Sequence, residues 1–267
     1  MRPIPVADVN DPRLAPYRGV RDPGLLRDHG VFLAEGRLVV ERLLGQSHYR
    51  ARSVLVTPAA HASLAEALAR AECPVYLVES SVVHGLAGFN VHRGCLAIGE
   101  RGSPREPAGL VAASGPLVIL EQVGNPDNVG GTFRNAAAFG ASGVVLSPGC
   151  SDPLYRKSIR TSMGAALTVP FAVAEEWPGT LARLRDRGWT VVALTPAEDA
   201  EDIRAVAAQL QGSRVALLLG HEGQGLSPDT QALASVRARI PMTSGVDSLN
   251  VATAAAVALY EFTSLGA

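Results

Sequence analysis

The sequence predicts an α/β protein whose C-terminal half contains a parallel β-sheet covered by helices on both faces. The first observation is that short, almost continuous apolar segments alternate with helical segments, a pattern typical of a sheet buried on both faces. The second is that three polar, glycine-containing loops directly follow apolar segments, at residues 121–134, 220–227 and 241–250. In an open parallel sheet, ligands bind beyond the carboxyl ends of the strands, so these loops form the candidate site.

The elements of the C-terminal half follow from periodicity and from capping residues. The most apolar segment, residues 214–219, is predicted to be a strand. Asn128 is expected to cap one helix, Ser227 a second, and Asp247 or Ser248 the closing alanine-rich helix. We predict strands at residues 117–120, 143–146, 169–174, 189–194, 214–219 and 236–241, and helices at residues 128–139, 153–162, 176–187, 203–210, 228–233 and 248–263.

The N-terminal half shows a second alternation, which predicts a small α/β domain. Prolines in the first 30 residues argue against a long helix, and we expect part of this segment to be mobile, with a short helix over residues 22–28. Further on we predict strands at residues 31–34, 53–56, 75–78 and 95–98, and helices at residues 36–44, 59–71 and 80–86. A stretch containing proline and glycine joins the halves. The predicted division is a domain over residues 1–105, a linker over 106–116 and a domain over 117–267.

The composition excludes several classes of protein. The formal net charge is −1, so no global positive field indicates a nucleic-acid partner. No apolar run approaches the ~20 residues that a membrane-spanning helix needs. Cys73, Cys95 and Cys150 are far apart and lack a metal-binding spacing. We therefore expect a cytoplasmic protein with no metal site and no membrane partner.

The three loops lack the established nucleotide-binding motifs. None contains G-x-G-x-x-G with a suitably placed acidic residue, and none contains G-x-x-x-x-G-K-[ST]. The first absence counts against a nicotinamide-dependent enzyme, and the second excludes a P-loop nucleotidase. His221 is either a general base or a structural residue of a glycine-rich loop. The residues alone thus indicate a doubly wound sheet with a ligand site, and a nucleotide-binding oxidoreductase stays open as an alternative.

Taken together, the loops resemble the SpoU (TrmH-type) family of RNA ribose 2′-O-methyltransferases, within the SPOUT class. The resemblance covers about residues 117–264 and rests on four motifs in order: NPDNVGGTFRNA at 125–136, RTSMGA at 160–165, LLGHEGQGLS at 218–227 and IPMTSGVDSLNVA at 240–252. The N-terminal half is similar to the ribosomal-protein-L30e-like substrate-binding domain that often accompanies such enzymes. FLAEGR at 32–37 and RGCLA at 93–97 carry that similarity.

This resemblance implies a fold and a cofactor that the residues by themselves do not. The C-terminal sheet is expected to contain a deep trefoil knot, which general rules of chain topology would exclude. S-adenosylmethionine is expected as the methyl donor, held mainly by backbone groups of the knot loops. The resemblance assigns its binding to Leu194, Thr195, Gly220, Glu222, Ile240, Met242, Ser248 and Leu249.

The resemblance also implies roles for five side chains near the reacting ribose. Arg134 is expected to clamp the adjacent phosphate and stabilise the developing alkoxide. A guanidinium scarcely deprotonates in proteins, so the proton should pass to phosphate or water. Asn128 and Asn250 would fix Arg134 and the ribose, Ser248 would hydrogen-bond at the donor or the nucleophile, and Glu222 would orient its partners.

Several alternatives remain at this point. Ribosomal RNA is the favoured substrate because of the N-terminal domain, with transfer RNA, or a ribosome-protecting antibiotic-resistance role, as alternatives. An inactive RNA-binding module is a further alternative, although the complete set of five residues argues against it. A homodimer is expected, packed through the alanine-rich face at residues 252–258. The N-terminal domain is expected to bind RNA through Arg13, Arg18, Arg21, Arg27, Arg37, Arg50 and Arg52.

Overall fold

The computed structural model describes residues 2–18, 22–87, 94–112 and 115–263. The chain forms two compact units: the first comprises Met1–Ser103 with Pro153–Thr168, and the second comprises Pro104–Asp152 with Val169–Ala267. The segment Pro153–Thr168 therefore packs with the N-terminal half, whereas the sequence-based division placed it in the C-terminal domain. Arg93, part of the RGCLA motif, lies outside the described residues. No helix within the described ranges is long and apolar enough to cross a membrane.

The first unit is built on a five-stranded mixed sheet. Its strands in spatial order are β1 (Ile4–Pro5), β4 (Val75–Leu77), β3 (Ala51–Val56), β5 (Cys95–Glu100) and β2 (Val31–Glu35). β5 runs antiparallel to both β2 and β3, whereas β4 pairs in parallel with β1 and β3. The helices are α1 (Asp22–His29), α2 (Arg37–Gly45), α3 (Pro58–Ser63), α4 (Ala65–Ala69), α5 (Ser80–Ala87) and α7 (Arg156–Thr161). The predicted single helix over residues 59–71 is thus divided, because the backbone of Leu64 leaves the helical conformation.

The N-terminal proline-rich segment is part of the core of the first unit. It contains β1 and a 3-10 helix at Pro12–Tyr17, and it buries Leu14 and Tyr17. The Tyr17 hydroxyl lies 2.6 Å from the Ser53 hydroxyl inside this core, and burial raises the pKa of Tyr17. The sequence pattern did not predict that Leu14 and Tyr17 anchor this segment, because their partners in the core are distant along the chain.

The second unit contains a seven-stranded sheet in which every pairing is parallel, as predicted. Its spatial order is β10-β12-β9-β11-β6-β7-β8. The central strand β11 is buried along its whole length, in agreement with its uninterrupted apolar sequence. The bounds are β6 Leu117–Leu120, β7 Gly143–Leu146, β8 Phe171–Val173, β9 Thr190–Leu194, β10 Glu201–Asp202, β11 Val215–Leu219 and β12 Val236–Arg239.

Five α-helices accompany this sheet in the described part of the second unit: α6 (Pro126–Ala138), α8 (Gly179–Asp186), α9 (Ile203–Gln209), α10 (Pro228–Ala232) and α11 (Val251–Phe262). Ser227 caps α10 as predicted. The other predicted caps are wrong, because Asn125 caps α6 and Asn250 caps α11. Pro126 starts α6 at the first helical position, where its missing N–H has no cost. Asn128 therefore does not cap the helix, and its side chain is available for contacts elsewhere.

The region predicted as a linker contributes to the core of the second unit. A 3-10 helix spans Pro107–Ala112, and its Leu110 is buried among the apolar side chains of the sheet. A few apolar contacts of this kind anchor a connecting segment that otherwise lacks regular structure. Residues 113 and 114, in the same predicted linker, lie outside the described ranges.

Candidate functional site

A cavity of about 470 Å³ opens at the carboxyl ends of β9, β11 and β12. Its size falls within the range of small-molecule binding sites. The loops that follow the three strands form its walls, which is where a parallel sheet is expected to bind ligands. All eight residues assigned to the cofactor by resemblance line this one cavity: Leu194, Thr195, Gly220, Glu222, Ile240, Met242, Ser248 and Leu249.

The glycine-rich loop after β11 has a conformation that its sequence requires. A Cβ atom at Gly220 would overlap the backbone of Gly225 and Leu226, so only glycine fits there. Two backbone hydrogen bonds between His221 and Gly225, of 3.2 and 2.9 Å, close the loop. Gly225 itself has a φ of 68°, a conformation that favours glycine. The loop backbone therefore turns sharply beside the cavity.

His221 organises this loop rather than acting as a free base at Nδ1. That nitrogen accepts hydrogen bonds from the backbone N–H groups of Gly223, at 2.9 Å, and Gln224, at 3.2 Å. A ring nitrogen that accepts two hydrogen bonds is not free to take a proton from a substrate. Of the two readings left open for His221, the geometry favours the structural one.

Glu121, which directly follows β6, holds the same loop through hydrogen bonds from Ser227. It was not predicted as a site residue. Its carboxylate is buried and accepts bonds from Trp177 Nε1 (2.9 Å), Ser227 N (3.0 Å), Ser227 Oγ (2.9 Å) and Thr230 Oγ1 (2.7 Å). Burial alone would raise the pKa of Glu121, but the hydrogen bonds from Thr230, Trp177 and Ser227 outweigh it and hold this pKa below its ordinary value. A carboxylate directly after an apolar strand was the sequence signal for this role.

Three of the five predicted side chains near the ribose form one hydrogen-bonded chain. Asn250 Nδ2 donates to Asn128 Oδ1 at 2.8 Å, and Asn128 Nδ2 donates to Glu222 Oε1 at 2.6 Å. Asn250 Oδ1 accepts from the backbone N–H groups that begin α11. Since each amide has an assigned donor and acceptor, their orientations are fixed by the network. The chain connects the start of α6 and the start of α11 to the wall of the cavity.

Close packing of α6 on α11 holds this chain together. A Cβ atom at Gly131 would lie 2.9 Å from the Cβ of Ala252, so glycine is what permits the approach. One turn further along α6, Asn135 Nδ2 donates to the backbone carbonyl of Ala252 at 2.7 Å. The small residues of the two motifs thus set the distance between the helices, and this distance brings Asn128 and Asn250 into contact.

The remaining two predicted residues stand apart from the chain. Ser248 is exposed on the wall of the cavity. Arg134 is exposed and forms no side-chain hydrogen bond or ion pair with any residue that the structure describes. It follows Asn128 by six positions, which turns it about 120° around the helix from that side chain. Asn128 and Asn250 do not fix Arg134 as expected, because Asn250 bonds to Asn128 and Asn128 bonds to Glu222.

Comparisons with known proteins agree with this geometry. The sequence model of the SpoU rRNA Methylase family matches residues 115–260. An uncharacterized tRNA/rRNA methyltransferase of Mycobacterium bovis is 40% identical over 265 residues, which cover 98% of this chain and 92% of that protein. The 23S rRNA (guanosine-2′-O-)-methyltransferase RlmB of Bordetella pertussis is 32% identical over 196 residues, 72% of this chain and 78% of that one.

A solved structure shares the fold along almost the whole chain. The AdoMet-bound rRNA methyltransferase from Sinorhizobium meliloti superimposes with a TM-score of 0.81 at 26% identity, covering 97% of this chain and 96% of that one. The family match spans more than half of the present sequence, and the mycobacterial protein aligns over nearly all of it. The chain therefore belongs to the SpoU rRNA Methylase family.

Proposed function

We propose that this protein transfers a methyl group from S-adenosylmethionine to a ribose 2′-hydroxyl of ribosomal RNA. The observation that carries the proposal is the single cavity that gathers all eight residues assigned to the cofactor, with Glu222 joining its wall to the Asn128–Asn250 pair. The names of two relatives support the chemistry: the Sinorhizobium protein is an rRNA methyltransferase with AdoMet bound, and RlmB is a 23S rRNA guanosine-2′-O-methyltransferase.

The residues around the cavity suit S-adenosylmethionine. Leu194, Ile240, Met242 and Leu249 present apolar side chains, as a slot for a flat adenine requires. Glu222, Asp247 and Ser248 add polar groups to the lining of the cavity, and these groups can bind the hydroxyl and ammonium groups of such a molecule. When bound, the cofactor supplies a sulfonium whose methyl carbon is open to in-line attack by an oxygen nucleophile.

Arg134 is the group we propose for stabilising the reacting ribose. Its guanidinium is exposed and not engaged by the described residues, so its planar fork is available to bind one phosphate through two bonds. A cation held near the 2′-oxygen lowers the energy of the developing alkoxide. The 2′-hydroxyl proton then passes to phosphate or water, because the guanidinium stays protonated.

The Asn128–Glu222 bond gives the site its rigidity in this proposal. A carboxylate that accepts a charge-assisted bond of 2.6 Å from an amide is held in one orientation. Glu222 then presents its second oxygen in a fixed direction at the cavity wall. Ser248, on the opposite motif loop, provides a hydroxyl that can bond to the donor or to the nucleophile.

Finer features of the family belong to the same proposal. We infer a deep trefoil knot, supported by the packing of the C-terminal α11 against α6, the first α-helix of the second unit. We infer an L30e-like substrate-binding role for the first unit, a cytoplasmic location, and a homodimer formed through α11. The dimer is supported by the exposure of Tyr260, 58% accessible on an otherwise apolar helix.

Methylation mapping tests the function directly. The full-length protein is incubated with ribosomal RNA and S-adenosylmethionine carrying a radioactive methyl group, and the RNA is then cleaved with alkali. A ribose 2′-O-methyl group blocks cleavage at its own position, so we expect one protected position that coincides with incorporated label. Label on a base, or no binding of S-adenosylmethionine in calorimetry, would refute the proposed reaction. Asn250→Ala serves as the matched variant and is expected to reduce incorporation, because it removes the amide that holds Asn128.

A further inference from the structure

The first unit carries a cluster of cations that differs from the one predicted from sequence. Three of the seven predicted RNA-binding arginines are engaged with carboxylates of their own segment: Arg13 pairs with Asp11, Arg27 pairs with Asp28, and Arg18 bonds to the carbonyls of Val9 and Asp11 and helps Arg13 to lower the pKa of the Asp11 carboxylate. Arg21 lies outside the described ranges. The structure thereby narrows the predicted set to Arg37, Arg50 and Arg52, which form no side-chain hydrogen bond or ion pair with the described residues.

The segment Pro153–Thr168 adds cations to this unit although it interrupts the methyltransferase half of the sequence. It is fixed to α2 and to the loop that follows it. Arg42 Nη1 donates to the carbonyl of Met163 at 2.9 Å, and His48 N donates to the carbonyl of Leu167 at 3.2 Å. A Cβ atom at Gly164 would lie 3.1 Å from Arg42 Cδ and 3.6 Å from Val39 Cα, so the segment lies directly on α2.

We name the α2–α7 surface after five cations of α2, of the loop that follows it and of α7: Arg37, Arg42, Arg50, Lys157 and Arg160. Residues 153–168 contain no acidic residue, and α2 contains only Glu41. The nearby carboxylate of Glu35 is buried and pairs with Arg156 at 3.6 Å, so it does not neutralise the surface. These segments therefore contain more basic than acidic residues, in a protein whose formal net charge is −1.

Two further observations indicate a phosphate ligand. Arg160 and Arg50 are exposed and, among the described residues, have no hydrogen-bonding or ionic partner for their side chains. Arg42 is held in place by a neutral carbonyl rather than a carboxylate, so its charge is not cancelled. Arginines that are positioned but not neutralised are suited to bidentate binding of phosphate oxygens.

We propose that the α2–α7 surface binds phosphates of the substrate RNA, with Arg160 as its principal contact. The proposal rests on the RNA methyltransferase function given above and adds a substrate-binding site outside the cavity. Residues 153–168 belong to the first unit and are continuous in the chain with the second unit at both ends.

Binding of a fluorescein-labelled hairpin RNA, measured by anisotropy over a range of salt concentrations, tests the surface. In the full-length protein, Arg160→Gln is expected to weaken binding about tenfold, the effect of one hydrogen bond to a charged group. The slope of log affinity against log salt should fall by about 1, since one counterion fewer is released. Arg160→Lys retains the charge but not the planar fork, so it should keep the salt slope of the original protein and lose less affinity than Arg160→Gln.

The matched control is Arg70→Gln, which removes an equally exposed arginine of the same unit that pairs with Glu66. It should bind RNA as the unchanged protein does. S-adenosylmethionine affinity and melting temperature should be the same in all variants. If Arg70→Gln and Arg160→Gln lose RNA affinity equally, the loss reflects net charge alone and the proposal is overturned. Unchanged RNA binding in Arg160→Gln would also overturn it, as expected if the surface instead serves an acidic protein.

The outcome also separates this inference from the proposed reaction. If the unchanged protein binds the hairpin RNA through Arg160 but methylates no ribose, the proposed reaction is refuted and the proposed RNA-binding surface is retained. If the unchanged protein methylates ribosomal RNA, and Arg160→Gln binds and methylates RNA equally well, the proposed reaction is retained and the proposed RNA-binding surface is refuted.

Discussion

At the scale of single residues, Glu121 shows how a site depends on groups that never reach a ligand. Its carboxylate joins the end of β6 to the start of α10 and so holds the end of the glycine-rich loop that connects β11 to α10. The sequence placed Glu121 at the start of a polar loop but did not indicate its partners, since Trp177, Ser227 and Thr230 are distant along the chain. Short-range patterns do not contain this information.

Replacing Glu121 by glutamine should destabilise the protein and change its dependence on pH. Glutamine introduces an amide donor where four donor groups from three residues already converge, so we expect a loss of about 1–3 kcal/mol in the free energy of unfolding at neutral pH. The pKa of Glu121 is lower in the folded chain than its ordinary value of 4.5. Its contribution is therefore fully present above about that pH and is lost as the pH falls through the folded pKa.

The measurement is urea unfolding from pH 7 down to pH 3. The unchanged protein should lose stability below about pH 4.5 more steeply than Glu121→Gln, so that the two curves converge in acid. Glu176→Gln is the control, because that carboxylate is largely exposed beside Arg183 and should have little effect. Curves that stay parallel throughout this range would contradict the assigned role of Glu121.

Arg134 should affect methyl transfer far more than cofactor binding. Its side chain contacts no described polar group and does not line the cavity, so its loss leaves the S-adenosylmethionine site intact. We expect Arg134→Ala to reduce the single-turnover rate about 100- to 1,000-fold, as for the loss of one group that stabilises the transition state. Arg134→Lys keeps the charge but not the fork and should lose most of the rate as well.

Two measurements distinguish this role from a structural one. Single-turnover transfer at saturating RNA and cofactor gives the rate, and calorimetry gives the affinity for S-adenosylmethionine. A near-normal rate in Arg134→Ala would exclude the proposed clamp. A parallel loss of cofactor affinity would make Arg134 a structural residue instead.

At the scale of elements, the contact between α6 and α11 is set by one glycine and one alanine. Gly131→Ala would place two methyl groups 2.9 Å apart, closer than carbon atoms tolerate. The helices must separate, and the Asn128–Asn250 bond should lengthen with them. We expect a loss of about 1–3 kcal/mol in stability, as for other overpacked cores, with a parallel loss of methyl transfer.

A second substitution tests this explanation. Ala252→Gly removes the opposing methyl group at the cost of about 1 kcal/mol in helix propensity. The double variant should therefore be more stable than the sum of the two single losses predicts, by about 0.5 kcal/mol or more. If the losses in the free energy of unfolding, measured with urea, are simply additive, then Gly131 and Ala252 do not limit the distance between the two helices.

Most elements were predictable from sequence because their patterns are local. β6, β7, β9 and β11 follow from apolar runs, and the Ser227 cap follows from one hydroxyl before a proline. β10 consists of Glu201 and Asp202, which have no apolar pattern, and its pairing with β12 creates it. The caps of α6 and α11 were misplaced by two or three positions, because each motif contains several residues that can cap.

At the scale of the whole molecule, local sequence patterns did not predict which of the two units each segment of the chain joins. Residues 153–168 follow β7 directly in sequence, yet they pack in the first unit. Their helix was predictable, whereas the surface that buries Ser158 and Ile159 belongs to residues more than a hundred positions away. The five motif residues were identified by resemblance, and the bonds between Asn128, Glu222 and Asn250 could be seen only in the structure.

The proposed homodimer gives the prediction at this scale. In α11, Tyr260 is 58% exposed and contacts Phe139 edge to face, with ring centroids 6.2 Å apart. A large aromatic side chain on the surface of an apolar helix is typical of residues that dominate interfaces. Tyr260→Glu should therefore weaken dimerisation by about 2 kcal/mol or more, and Tyr260→Phe should leave it nearly unchanged because the ring is retained.

Sedimentation equilibrium over a range of protein concentrations measures both variants. The unchanged protein and Tyr260→Phe should sediment as dimers, whereas Tyr260→Glu should shift towards monomer with a dissociation constant raised about 30-fold or more, the equivalent of 2 kcal/mol. Thermal melts at high concentration control for folding, since Tyr260 lies outside the core. If the unchanged protein is a monodisperse monomer that is fully active at nanomolar concentration, α11 is not a dimer interface.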